Sequence, residues 1–134
     1  MASKILVIED DSDYQATLKE ILTSEGYEVA LAPSGIEGLK RVKEVNPDLI
    51  ILDVMMESTI SGFEVAYRLK SRDPKSEYAA SVNIPILILT AIHKSTSFRF
   101  RPDEEYIPIE AFLEKPPSPD ELLKRIKTLL EMRP

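Results

Sequence analysis

The side chains best suited to chemistry in this sequence lie at the ends of its most apolar stretches. They comprise three carboxylates, one hydroxyl and one amine: Glu9, Asp10, Asp53, Thr90 and Lys115. Each lies at or just beyond the end of a short apolar run, where a strand is expected to finish. The carboxyl ends of parallel strands meet at one edge of a sheet, where open α/β folds bind their ligands. The pattern therefore predicts that these five side chains share one site.

Such a cluster of carboxylates favours a bound cation. Two carboxylates about 4 Å apart repel by roughly 4 kcal/mol at an effective dielectric constant of ~20. Oxygen ligands suit Mg²⁺ or Mn²⁺, and zinc is disfavoured because the chain has no Cys and one His. With Lys115 and Thr90 beside it, such a cation can neutralise a phosphoryl group, and a carboxylate can act as the nucleophile that accepts it. The residues therefore indicate phosphoryl transfer.

Short apolar runs define the elements that must position this site. The runs 5–8, 49–52 and 86–89 are apolar at every position, which is typical of strands buried on both faces of a parallel sheet. The segment 27–31 alternates like an edge strand, and 111–113 is a short fifth candidate. Five strands separated by helical stretches predict one doubly wound α/β domain with helices on both faces of the sheet.

Helical periodicity fills the intervals between these strands. The helix start and stop signals are, in chain order, Gly26 as a stop, Ser34 and Glu37 as a capping box, Pro47 as a stop, Gly62 as a start, and Ser118, Pro119 and Glu121 as a start. The first helix presents Tyr14, Leu18 and Leu22 on one face, and Asp11 is expected to cap it or to be exposed.

Length, composition and charge narrow the class of protein. At about 150 residues per domain, 134 residues predict a single domain spanning 1–134, with no output domain. The net charge of −6 and the absence of a basic block argue against direct nucleic-acid binding. The longest apolar runs have four residues, too short for membrane insertion, and no signal peptide is recognisable. We therefore expect a soluble, cytoplasmic protein.

Taken in order, four motifs resemble the response-regulator receiver domain of two-component signalling, of the CheY-like superfamily. They lie at 4–10, 47–53, 84–91 and 113–116, so that the resemblance covers essentially the whole chain. The resemblance implies a five-stranded parallel sheet in the order 2-1-3-4-5. It also implies a phosphoprotein that signals in a phosphorelay and is not an enzyme, beyond promoting its own phosphorylation and dephosphorylation.

The resemblance implies roles for the acidic residues. Asp53 is the expected phosphoacceptor. Glu9 and Asp10, together with Asp53 and the backbone carbonyl of Met55, are the expected ligands of Mg²⁺. The phosphoryl group is expected to come from the phosphohistidine of a sensor histidine kinase or a phosphotransfer protein.

The resemblance also implies a switch. Lys115 is expected to contact the phosphoryl oxygens, and the peptide bond to Pro116 is expected to be cis. Thr90 is expected to hydrogen-bond the phosphoryl group, and Phe112 to change rotamer with it. The switched surface is expected to signal to a downstream protein target.

Three stretches depart from the pattern of the family. The loop after Asp53 lacks the usual Met-Pro pair and has one extra residue before Gly62. The segment 71–84 is several residues longer than usual, which predicts a surface insertion. The segment 93–110 lacks the Ala-rich helix of the family, so the region of its fourth helix is expected to be atypical.

These departures keep one alternative open, a receiver-like interaction module that acts without phosphorylation. An unrelated hydrolase or nucleotide-binding protein on a similar fold is less consistent with the residues. A phosphatase of the haloacid-dehalogenase type needs a second Asp where Met55 stands, and a nucleotide site needs a Gly-rich loop where Glu9 and Asp10 stand.

Overall fold

The structure is a computed structural model, and it describes residues 3–53, 65, 68–70, 73–79, 83–90, 111–114 and 117–132. Within these ranges the elements follow one another as β1 (Lys4–Ile8), α1 (Ser12–Ser24), β2 (Glu28–Ala32), α2 (Gly35–Val45), β3 (Leu49–Asp53), β4 (Ile86–Thr90), β5 (Ala111–Glu114) and α3 (Pro119–Met132). Val65, Arg68 and Leu69 are also helical. In this part of the chain, no helix has the length and apolar character needed to cross a membrane.

The five strands form one parallel sheet in the order β2-β1-β3-β4-β5. This confirms the fold class and the strand order expected from the resemblance. β1 lies between β2 and β3, and its last residue, Ile8, is in register with Ala32 and Leu52. The strand order reverses between β1 and β3, and a crevice at the carboxyl ends of two such strands is where doubly wound folds bind ligands.

The runs 5–8, 49–52 and 86–89 of the central strands are apolar because both faces of the sheet are covered. In β1, Leu6 and Ile8 belong to the core cluster that contains α2 residues, whereas Ile5 and Val7 belong to the cluster that contains α1 and α3 residues. All four side chains are fully buried. Successive side chains of a strand point to opposite faces, so the middle of a strand between two helical layers faces apolar surroundings on both sides.

The ends of α1, α2 and α3 agree with the predicted start and stop signals, whereas the predicted start at Gly62 lies outside the described residues. Ser34 Oγ accepts a hydrogen bond from the Glu37 N–H at 3.2 Å, which caps α2. Ser118 Oγ accepts one from the Glu121 N–H at 3.1 Å at the start of α3. After α1, Gly26 adopts a positive φ of 89°, a conformation that glycine reaches without strain.

Two sequence-based expectations need correction. The edge strand is β2 (Glu28–Ala32), one residue later than predicted. The segment 71–84 is more than a surface insertion, because Tyr78 within it is 9% exposed and belongs to the α2-side core. Lys43 of α2 pairs with Glu77 and lies 5.0 Å from the centre of the Tyr78 ring, so this segment packs against α2. A single tyrosine in a polar stretch has no periodicity that would reveal this contact.

Candidate functional site

The structure brings three of the predicted site residues together. β1 ends at Ile8 and is followed by Glu9 and Asp10, and Asp53 ends the adjacent strand β3. Carboxylate oxygens of Glu9, Asp10 and Asp53 all lie within 4.8 Å of one another. The cluster arises because β1 and β3 are neighbouring parallel strands whose ends lie at the same edge of the sheet.

The members of this acidic cluster differ sharply in exposure. The side chains of Glu9 and Asp53 are 1% and 2% exposed, whereas Asp10 is exposed. Two carboxylates about 4.8 Å apart repel by roughly 3.5 kcal/mol at an effective dielectric constant of ~20. Burial of like charges this close together is unfavourable unless a cation or donors offset it. The exposed carboxylate of Asp10 leaves one side of the cluster open to solvent.

The loop that carries the acidic residues is fixed by hydrogen bonds. The Asp11 N–H donates to Glu9 Oε2 at 3.1 Å. Asp11 Oδ1 in turn accepts from the N–H groups of Asp13 and Tyr14, at 2.9 and 3.2 Å, and so caps α1. The expectation that Asp11 caps α1 or is exposed is therefore confirmed, since Asp11 is both the cap and exposed. Its cap orders the start of α1 next to the buried carboxylate of Glu9.

Gln15 contributes to this site, although no sequence motif assigned it a role. Its amide Nε2 donates to the backbone carbonyl oxygen of Glu9 and to that of Ala32, the latter at 3.3 Å. Gln15 precedes the buried Leu18 and Leu22 by three and seven residues, so it lies on the apolar face of α1. A polar residue on an apolar helix face was the sequence signal that could have identified it.

The acidic cluster fits the requirements of a hard divalent cation. Mg²⁺ binds oxygen ligands at about 2.1 Å, so two ligands of one ion stand at most about 4.2 Å apart. Oxygens within 4.8 Å of one another reach that spacing after small side-chain rotations. Mg²⁺ also keeps several waters, which the exposed side of Asp10 can accommodate. The donor set therefore suits Mg²⁺ better than a soft metal.

The remaining predicted site residues are described only in part. Thr90 is the last residue of β4, and its neighbour Leu89 is in register with Asp53, so the backbone of Thr90 lies at the same sheet edge. Phe112 lies in β5. The side chains of Thr90 and Phe112 are outside the described residues. So are Met55, Lys115 and Pro116, along with the segments 54–64 and 91–110.

Comparison with known proteins decides the family. A family model, the response regulator receiver domain, matches residues 5–127. The chain belongs to this family. Receiver domains of two-component response regulators work in phosphorylation-based signalling with histidine kinases, and they are signalling proteins, not classical enzymes. The family assignment made from the four sequence motifs is thereby confirmed.

Similar proteins support this assignment over most of the chain. The response regulator MprA of Mycobacterium ulcerans is 34% identical over an alignment of 134 positions, which covers 97% of this chain and 51% of MprA. The transcriptional regulatory protein AfsQ1 of Streptomyces coelicolor is 44% identical over 87 residues, which cover 65% of this chain and 34% of AfsQ1. This receiver domain therefore spans about half or less of the length of these two relatives.

Solved structures show the same fold. The chemotaxis protein CheY4 of Vibrio cholerae matches with a TM-score of 0.73 and 28% identity, covering 96% of this chain and 99% of its own. The signal receiver domain of a signal transduction histidine kinase from Syntrophus aciditrophicus matches with a TM-score of 0.77 and 27% identity, covering 97% and 91%. The receiver fold is therefore shared with a chemotaxis protein and with the receiver domain of a histidine kinase.

Proposed function

We propose that this receiver domain accepts a phosphoryl group on the carboxylate of Asp53, in a reaction that depends on Mg²⁺. The donor is the phosphohistidine of a sensor histidine kinase or of a phosphotransfer protein. The observation that carries the proposal is the cluster of Glu9, Asp10 and Asp53 oxygens within 4.8 Å, at the carboxyl edge of a receiver sheet. A receiver domain from Pseudomonas aeruginosa that shares this fold is described with magnesium coordinated in its active-site cleft.

The chemistry requires a fixed nucleophile and neutralised charge. A carboxylate oxygen of Asp53 attacks phosphorus, the phosphorus–nitrogen bond of phosphohistidine breaks, and the imidazole leaves with that electron pair. Asp53 is buried at the end of a strand, which holds its carboxylate in one orientation for attack. Glu9 and Asp10 hold the cation, with Mn²⁺ as a substitute for Mg²⁺. When bound, the ion supplies positive charge that stabilises the phosphoryl oxygens.

The sequence motifs support roles for the other residues. Lys115 contacts the phosphoryl oxygens, and the peptide bond between Lys115 and Pro116 is cis. The backbone carbonyl of Met55 is a further metal ligand. Thr90 hydrogen-bonds the phosphoryl group, and Phe112 follows it by changing rotamer. The same cluster then promotes attack by water on the aspartyl phosphate, which restores the carboxylate and releases phosphate.

The receiver domain signals to its downstream partner through a shift between two conformations of its surface. Phosphoryl contacts stabilise one arrangement over the other, so phosphorylation changes the population that a partner recognises. We place the contact with a downstream protein beside Lys115, where Pro117 leads into α3. Substitution of exposed residues of α3 and of Arg99 and Arg101 should weaken partner binding, and an absence of any effect would refute this placement.

Mass measurement of the intact protein tests the acceptor directly. The native chain and Asp53→Asn are incubated with Mg²⁺ and a small acyl phosphate. We expect a gain of one phosphoryl group on the native chain alone, and none when Mg²⁺ is removed with EDTA. An equal gain on Asp53→Asn would show that another residue is the acceptor.

The unusual loop after Asp53 favours a second candidate function. It lacks the Met-Pro pair of the family and is longer by one residue before Gly62. A receiver-like module that binds its partner without phosphorylation is consistent with this loop. A folded native chain that binds no Mg²⁺ and gains no phosphoryl group would favour that candidate.

A further inference from the structure

Hydrogen bonds beyond those that pair β1 with β2 attach the loop of Glu9 and Asp10 to the end of β2. The Glu9 N–H donates to the Ala32 carbonyl oxygen at 3.0 Å, which extends the pairing of β1 with β2 by one bond. The carbonyl oxygens of Glu9 and Ala32 both accept from the amide nitrogen of Gln15. One side chain of α1 thus holds the backbone of Glu9 and the end of β2 together.

Glutamine is well suited to this connection. Its amide nitrogen carries two N–H donors, and each of the two carbonyl oxygens accepts one of them. The two acceptors also fix the orientation of the amide, because its oxygen would face both carbonyls in the flipped form. Gln15 is half-buried on the apolar face of α1, where an apolar side chain would pack but could not make these bonds.

The main chain of Gln15 reinforces the same loop. Its N–H donates to the Asp11 carbonyl oxygen at 2.9 Å, while Asp11 caps α1 and donates its own N–H to the carboxylate of Glu9. The acidic loop is therefore held at Glu9 and at Asp11, on either side of Asp10. A shift of the Glu9 backbone would move both carboxylates relative to Asp53.

We propose that Gln15 is a positioning residue for the cation site, which sets the affinity for Mg²⁺ by fixing the backbone of Glu9. This inference rests on the proposed function, since it concerns the same acidic cluster. Gln15 acts only through the loop and does not itself touch the ion. Groups that orient metal ligands commonly alter affinity by about 10-fold or more when they are removed.

Titration calorimetry with Mg²⁺ alone tests the proposal on the full chain. Gln15→Met keeps the length of the side chain and its lack of charge but removes both donors. Thr17→Val is the matched control, because Thr17 is exposed and also makes a side-chain bond to a backbone carbonyl, that of Asp13 at 3.1 Å, which lies within α1 and not in the loop of Glu9 and Asp10. We expect about 10-fold weaker Mg²⁺ binding for Gln15→Met and a change below about twofold for Thr17→Val.

A second variant and a spectroscopic readout separate positioning from loss of stability. Gln15→Ala retains high helix propensity in α1 and should weaken Mg²⁺ binding to a similar extent. The backbone amide resonances of Glu9 and Asp10 should shift in both Gln15 variants and stay in place in Thr17→Val. Folded Gln15 variants that bind Mg²⁺ like the native chain would overturn the proposal. A native chain that binds no Mg²⁺ would instead overturn the metal-dependent function, and this inference with it.

Discussion

The two ends of the sheet bury ionisable side chains in opposite ways. Among the described residues, the buried charged side chains are Glu9 and Asp53 at the carboxyl end and Lys70 at the amino end. The two acids lie side by side in one cluster with Asp10. Lys70 instead donates from Nζ to the backbone carbonyl oxygen of Ile84 at 2.6 Å, just before β4 begins.

The two ends differ in whether the buried charge stabilises the fold. The bond from Lys70 joins the end of the helical residues 68–69 to the start of β4, so it stabilises the native arrangement. Hydrogen bonds from charged groups contribute about 1.5–3 kcal/mol each. Carboxylates as close as those of the carboxyl end repel one another, so a bound cation is expected to raise the stability of the fold. Active sites often retain arrangements of this kind at the expense of stability.

Removal of the buried charge of Lys70, at the amino end of the sheet, should have the largest effect on stability. Lys70→Met keeps the length of the side chain but leaves the Ile84 carbonyl without this donor. We expect a loss of about 2 kcal/mol in the free energy of unfolding, measured by urea denaturation. Mg²⁺ affinity should stay within about twofold of the native value because Lys70 lies at the other end of the sheet. A variant with native stability would show that this bond does not support the fold.

Removal of one charge from the acidic cluster, at the carboxyl end of the sheet, should have the opposite effect on stability. Glu9→Gln retains an oxygen that can accept from the Asp11 N–H but removes one negative charge. In EDTA we expect the free energy of unfolding to rise by about 1 kcal/mol, because repulsion within the cluster falls. Calorimetry should show Mg²⁺ binding weakened by about 10-fold. Lower stability together with native Mg²⁺ affinity would make Glu9 a structural residue like Lys70.

The smallest expected effect is a pH response at the amino end. Burial, and the nearby carboxylates of Glu25 and Glu131, raise the pKa of Tyr27 above its ordinary value of 10.0. The folded state therefore favours the neutral phenol. The contribution of Tyr27 to the free energy of unfolding is present below pH 10 and is lost as the pH rises through the raised pKa. Unfolding measured from pH 9 to 11 should show a shallower loss of stability for Tyr27→Phe than for the native chain. Identical slopes would contradict this.

Much of the fold could be predicted because its determinants are local. Four-residue apolar runs indicate buried strands. Ser34 and Ser118 indicate helix starts, because each caps a backbone N–H only three residues further along the chain. The acidic cluster could be predicted too, since parallel strand ends share an edge and Asp53 and Glu9 each end an apolar run. These predictions needed only periodicity, capping chemistry and the topology of parallel sheets.

Apart from the bond of Gln15 to the Glu9 carbonyl, six residues away, the contacts that sequence reasoning missed are long-range. Gln15 bonds the carbonyl of Ala32, Lys70 bonds that of Ile84, and Tyr78 packs beside α2. Each is a single polar or aromatic residue whose partner lies 14 or more positions away or in another element. No local pattern encodes such a partner, because the pairing depends on how helices and strands are stacked. The predicted roles of Lys115, Thr90 and Phe112 remain predictions.

Unfolding of the native chain and of Asp53→Asn, each in EDTA and in excess Mg²⁺, tests most directly that the buried acids form a cation site. In EDTA, Asp53→Asn should be more stable than the native chain by about 1–2 kcal/mol, because a buried repulsion is relieved. Mg²⁺ at about 100 times its dissociation constant should stabilise the native chain by about 2.7 kcal/mol and the variant by much less. A native chain that gains nothing from Mg²⁺ and is more stable than Asp53→Asn in EDTA would contradict the account.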